Sequence, residues 1–159
     1  MLLLLSLVFA FQLNSATFKP NGIVPHSMVA KDCGGENISP ELHWKGAPKG
    51  THSFALVVHD PDAPRPGGFY HWIIQAIPPS ATRIDAGTTR FPGYYGPCPP
   101  PGKVHHYHFT LYALDRPVDG ADVTDAAQLL ARIKNHILAQ ATLTGLYASP
   151  SPSEGKRVE

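Results

Sequence analysis

Asp60 and Asp62 stand two residues apart in H-D-P-D-A-P-R-P-G-G-F-Y-H-W, residues 59–72, and His71 closes the same stretch. His105 and Tyr107 fall on one face of an alternating segment, 104–114. Just before it runs G-Y-Y-G-P-C-P-P-P-G, residues 93–102, with Gly96 and Pro97 at its centre. These residue types suit anion binding. A carboxylate can accept the N–H of a neighbouring imidazole and raise its pKa, and Asp60 is expected to orient and charge His71 in this way. A cationic histidine, a tyrosine hydroxyl and loop N–H groups then supply donors for an anion. A carboxylate in the set disfavours a bare dianion and suits an ammonium or a protonated phosphate. The ligand expected is a zwitterionic or mono-protonated phosphate rather than a nucleotide, held more weakly as pH rises through the histidine pKa. Taken singly, each residue also has an ordinary role: an Asp before Pro forms turns, and a His at a strand start is commonly structural.

These groups meet only if the strands that carry them are neighbours. Residues 53–59 are apolar on both faces, which predicts a central strand. Residues 72–77 have the same character, and the prolines between the two runs make stiff loop. On 104–114, His105, Tyr107, Phe109 and Leu111 share one face, and His106, His108, Thr110 and Tyr112 the other. Residues 11–15 suggest an edge strand, 41–45 and 142–147 short strands, and 19–25 and 32–40 turn and loop. Residues 84–102 read as mostly irregular. Ala126, Leu129, Leu130, Ile133, Ile137 and Ala141 recur at three and four, predicting an amphipathic helix over 125–141. Asp122 or Thr124 would cap it, with Asp125 at the positive end of its dipole. The fold class expected is mainly β, one domain over 11–148, with a polar, mobile tail over 149–159.

The composition fits that class and excludes others. The chain has 159 residues, 43% hydrophobic and only 16% charged, with 17 prolines and 14 glycines. Such a chain buries a core and is rich in turns. A net charge of +1 argues against a nucleic-acid partner. The first ten residues are uncharged and mainly apolar, too few to span a bilayer. They read as a secretory signal or as a buried first strand, and we prefer the signal, which places the protein in the periplasm or outside the cell; the cytoplasm is the alternative. Cys33 and Cys98 would pair in an exported protein and stay free thiols in the cytosol. Zinc on His106 and His108, with His43, is a weaker reading. There is no G-x-S-x-G elbow, P-loop or G-x-G-x-x-G, and nothing implies a cofactor or metal.

Together, D-P-D-A-P followed by H-W, the 93–102 loop, H-H-Y-H-F-T-L-Y-A-L-D, N-I-S-P-E-L-H-W and L-T-G-L-Y resemble the phosphatidylethanolamine-binding protein family. The likeness is to its bacterial Raf-kinase-inhibitor-like (YbhB/YbcL) branch and covers about 11–147. It implies a central antiparallel sheet, a smaller sheet packed on it and a helix near the C-terminus. It also implies a pocket for phosphate-type anions or phospholipid headgroups, made by Asp60, Asp62, His71, Gly96, Pro97, His105 and Tyr107. On this reading the protein is not an enzyme but a binding protein. The alternatives are an inhibitor acting on a protein partner such as a kinase or protease, with a vestigial pocket, or, more weakly, a hydrolase. Two departures stand out. The segment 88–92 is shorter than the family's, so one pocket wall is expected to be open or rebuilt. The family's H-R-Y reads His105-His106-Tyr107, which exchanges a fixed charge for a titratable one.

Overall fold

The computed structural model describes residues 10–118 and 123–151. Its elements are β1 Gln12–Asn14, β2 Gly22–Ile23, β3 Leu42–Lys45, β4 Ser53–Asp60, β5 Phe69–Ile77, β6 Arg83–Ile84, β7 His105–Leu114, α1 Ala126–Ile133 and β8 Ile137–Tyr147. A five-stranded sheet runs β2-β8-β7-β4-β5 and a three-stranded sheet runs β1-β3-β6. All pairings are antiparallel except β2 with β8.

Strand β4 is buried on both faces because each face has its own cover. Phe54, Leu56 and Val58 pack with Leu13, Leu42 and Trp44 of the small sheet. Ala55 and Val57 pack with Leu129 and Ile133 of α1. That is the central position expected of a strand with no polar side. Alternation on β7 is kept, with His105, Tyr107, Phe109 and Leu111 all buried. Leu13 is buried too, and β1 is an edge strand of the small sheet, as the 11–15 segment suggested.

The helix is shorter than its periodicity predicts. It ends at Ile133, and the stretch expected to continue it to Ala141 is the first half of an eleven-residue strand. Ile137, Ala139 and Ala141 fit spacings of two as well as four. Ten residues of β7 lie alongside β8 and take up its backbone hydrogen bonds, which decides the matter for extended structure. Asp125 is the N-cap and accepts from the Gln128 N–H at 2.9 Å, not Thr124; Asp122 lies outside the described residues. The short strand β2 lies within the 19–25 segment expected as turn, and a 3-10 turn at Lys31–Cys33 enters the 32–40 segment expected as loop; another, His26–Met28, lies between the two. The tail is tied at its start: Ser149 pairs with Pro101, and its hydroxyl donates to the Pro99 carbonyl at 2.7 Å. The possible signal falls largely on 1–9, outside the described residues, as do 152–159. No helix among the described residues is long and apolar enough to cross a membrane.

Cys33 and Cys98 form a disulfide, with Cα atoms 5.7 Å apart and a sequence separation of 65. It ties the 93–102 loop to the 3-10 turn at Lys31–Cys33. Closing so long a loop restricts the unfolded chain. A Cys33→Ser/Cys98→Ser variant should therefore lose about 4 kcal/mol of unfolding free energy, measured by urea denaturation; a loss below about 1 kcal/mol would contradict the chain-entropy account.

Candidate anion-binding site

The sheet order places the C-terminal end of β4 beside the N-terminal ends of β5 and β7. Asp60, His71, His105 and Tyr107 meet there and line one cavity of about 300 Å³. All four are at most 5% exposed. His71 and Tyr107 rings lie 5.0 Å apart, edge to face.

His71 reaches the cavity because of a β-bulge. Val58 pairs with Trp72 while the next residue, His59, pairs with Tyr70, so His71 is the extra residue on β5. The bulge turns His71 and Trp72 toward the interior together, both buried. Strict alternation would have sent one of them to solvent. The bulge is followed by an anchor. Tyr95 N–H donates to the His71 carbonyl at 2.9 Å, and His71 Nδ1 lies 2.7 Å from the Tyr95 carbonyl. A carbonyl only accepts, so Nδ1 carries the hydrogen and Nε2 is the nitrogen left for a ligand.

Asp60 does not charge His71 as expected. Its Oδ2 accepts from His105 Nδ1 at 2.7 Å, whereas His71 Nε2 is 3.9 Å away. Its Oδ1 accepts the Asp62 N–H at 2.8 Å. Burial dominates at His71 and holds its pKa below the usual histidine value. The Tyr95 carbonyl, the Asp60 carboxylate and the Gly96 backbone pull the other way without prevailing, and His105 adds to the lowering. The Tyr107 hydroxyl is buried with no hydrogen-bond partner among the described residues. Burial, aided by Asp60, pushes its pKa far above the usual phenol value, so it stays a donor.

Asp62, Gly96 and Pro97 do not line the cavity. Asp62 Oδ2 accepts from His106 twice, from N–H at 2.9 Å and Nδ1 at 2.7 Å, and the His106 hydrogen bond leads in holding its pKa down. Gly96 and Pro97 position the wall instead. The Gly96 N–H donates to Asn37 Oδ1 at 2.8 Å, and Pro97 accepts from Ala30 N–H at 3.1 Å. A Cβ at Gly96 would overlap the Met28 carbonyl, so only glycine lets the loop lie so close.

Eight further residues line the cavity and none was named from sequence as a ligand contact; Arg65, Phe69, Tyr95 and Pro99 are among them, as is Cys98, singled out only for a disulfide. Their only signal was membership of the two proline-rich loops. Segment 88–92 is not part of the wall; the Phe91 and Pro92 carbonyls accept from Trp72 Nε1 at 3.2 and 3.3 Å. The wall it was expected to leave open is built by Tyr95 and the prolines. The histidines considered for zinc lie apart in function: His43 bonds Glu41, His106 bonds Asp62 and His108 bonds Thr144. Among the described residues, the one group with metal-ligand spacing is Asp32, Cys33 and Cys98, whose sulfurs are spent in the disulfide.

The profile of the phosphatidylethanolamine-binding protein family matches residues 14–148. A UPF0098 protein of Methanothermobacter thermautotrophicus is 40% identical over 153 residues, 85% of this chain and 97% of the relative. UPF0098 protein YbcL of Escherichia coli is 36% identical over 160 residues, 87% of each. The crystal structure of YbcL, described as a new member of the mammalian PEBP family, superposes with a TM-score of 0.80 at 32% identity, covering 88% of this chain and 99% of that one.

The lowered His71 pKa has a consequence for stability. The unfolded chain takes up a proton there near pH ~6.5, the folded chain only below that. The contribution of the neutral imidazole is complete above pH ~6.5 and is lost as pH falls toward the folded pKa. His108 is shifted the same way, chiefly by burial. A His71→Gln variant should show a shallower loss of stability between pH 6.5 and 5 than the wild type, read from urea midpoints.

Proposed function

The chain belongs to the phosphatidylethanolamine-binding protein family, and on that premise we propose that it is a non-enzymatic binding protein whose cavity takes a small phosphate-type anion, free or as a phospholipid headgroup. The observation that carries this reading is the Tyr107 hydroxyl, buried at the cavity and without an acceptor among the described residues. Leaving such a donor unpaired costs about 1–3 kcal/mol, which an anion's oxygen would recover. His71 Nε2 stands close by. It accepts when neutral and donates once protonated, so a bound anion recruits a proton to it. In this reading, Asp60 fixes His105 rather than touching the ligand. Turnover is disfavoured by the same chemistry: the phenol is held protonated and the Cys98 sulfur is in a disulfide, so neither offers a nucleophile. The disulfide also favours the periplasm or the cell exterior as the working compartment.

Tyr107→Phe removes one oxygen and nothing else. Phosphate affinity should fall about tenfold, the scale of one hydrogen bond to a charged group, while thermal stability holds or rises. Unchanged affinity in calorimetry would refute the reading. Sulfate keeps its charge across neutrality, so it isolates the protein's titration. Its affinity should strengthen as pH falls below ~6.5, with proton uptake visible as a buffer-dependent binding enthalpy, because the anion raises a His71 pKa that burial had lowered.

A further inference from the structure

The rim of the cavity carries a cation that the floor does not use. Among the described lining residues, Arg65 alone has a permanent positive charge. Its guanidinium sits 4.8 Å from the centre of the Phe69 ring and has no carboxylate partner among the described residues. The backbone beneath it is fixed. Pro64 and Pro66 flank Arg65, and a following proline restricts the residue before it to extended conformations. Gly68 N–H donates to the Arg65 carbonyl at 3.1 Å. With Pro66 second and Gly67 third at φ 80°, this is a type II turn. The Gly67 carbonyl in turn accepts from His59 Nε2 at 2.8 Å. The charge is therefore presented from a stiff loop and is not tied up in an ion pair.

The acids near the cavity are otherwise engaged. Asp60 has both oxygens in hydrogen bonds, to His105 and to the Asp62 N–H, and is 3% exposed. Asp62 is held by His106 outside the cavity. Asp32 accepts the Tyr95 hydroxyl at 2.7 Å and does not line the cavity. An ammonium could also rest on an aromatic face, but Arg65 already lies over Phe69, and the Tyr95 ring, its centre 5.8 Å from that of Phe69, stands beside the same charge. A ligand with an ammonium group would meet a like charge at the mouth and no free carboxylate among the described lining residues.

We propose that Arg65 sets the specificity of this pocket, selecting phosphomonoesters that carry no ammonium, such as glycerol phosphate or the phosphatidic acid headgroup, over the zwitterionic ethanolamine headgroup. The inference rests on the anion-pocket reading above and refines its ligand. Arg65 adds attraction for the outer phosphate oxygens and repels an ammonium. It is exposed, so its replacement leaves the core intact.

Calorimetry at pH 6.5 and fixed ionic strength, with glycerol 3-phosphate, phosphoethanolamine and inorganic phosphate as probes, tests this. The wild type should prefer glycerol 3-phosphate over phosphoethanolamine by about fivefold, the scale of one exposed ion pair. Arg65→Lys should keep that order, Arg65→Gln should level it and Arg65→Glu should reverse it, with unchanged melting temperatures. Equal or tighter phosphoethanolamine binding by the wild type, or an Arg65→Glu ratio like the wild type's, overturns the inference. If inorganic phosphate binds while the preference is missing, Arg65 alone is misjudged. If no probe binds, the anion pocket itself falls and this inference with it. Cosedimentation with vesicles of phosphatidic acid, or of phosphatidylethanolamine, in phosphatidylcholine separates the sources. Capture by phosphatidic acid vesicles supports a lipid form of the same chemistry, soluble binding without capture supports a free phosphomonoester, and capture by phosphatidylethanolamine vesicles alone overturns the proposal.

Discussion

A carboxylate that is 3% exposed stays in a protein interior only if its oxygens are hydrogen-bonded. Asp60 meets that condition with one bond to His105 and one to the Asp62 N–H, and most of the cavity's character follows. The bond to His105 joins the end of β4 to the start of β7, forty-five residues on. The bond to Asp62 turns the chain out of β4 and sends the second carboxylate away, onto His106. The acid becomes part of the floor, spent on geometry. What remains among the described lining groups is the Tyr107 phenol, the imidazole nitrogens of His71 and His105 that Tyr95 and Asp60 do not hold, and the Arg65 cation.

The walls are built by a different means. The 93–102 segment has too many prolines and glycines for regular structure, and it is held by bonds to the 26–38 region instead. The Tyr94 hydroxyl donates to the Met28 carbonyl at 3.1 Å, Asn37 bonds the Tyr94 carbonyl and the Gly96 N–H, and the disulfide closes the set. The chain thus obtains a rigid wall from residues that neither helix nor sheet would accept, and Tyr95, Pro99 and Pro100 of that wall face the cavity.

Periodicity named the central strand, the buried face of β7 and the start of α1, because those patterns are local consequences of burial on one or two sides. It failed at the end of α1, where Ile137, Ala139 and Ala141 satisfy two periods. Pairing partners decide such cases, and the partner is β7, more than twenty residues earlier. It also failed to foresee the bulge at His71, since an extra residue in a strand leaves no mark on an apolar run. The electrostatics of the site suffered most. Placing Asp60 and His71 in one cluster was right, but the nearer imidazole is His105, and burial rather than a carboxylate governs His71.

The amino-acid order alone determined the family, the mainly β class and the residue types gathered at the strand ends, because these depend on composition, spacing and motifs carried within short windows. Only the tertiary structure decided which hydrogen bond each of those groups makes. Whether a carboxylate serves a ligand or a neighbour turns on differences of an ångström between strands far apart in the chain, and no local pattern records them.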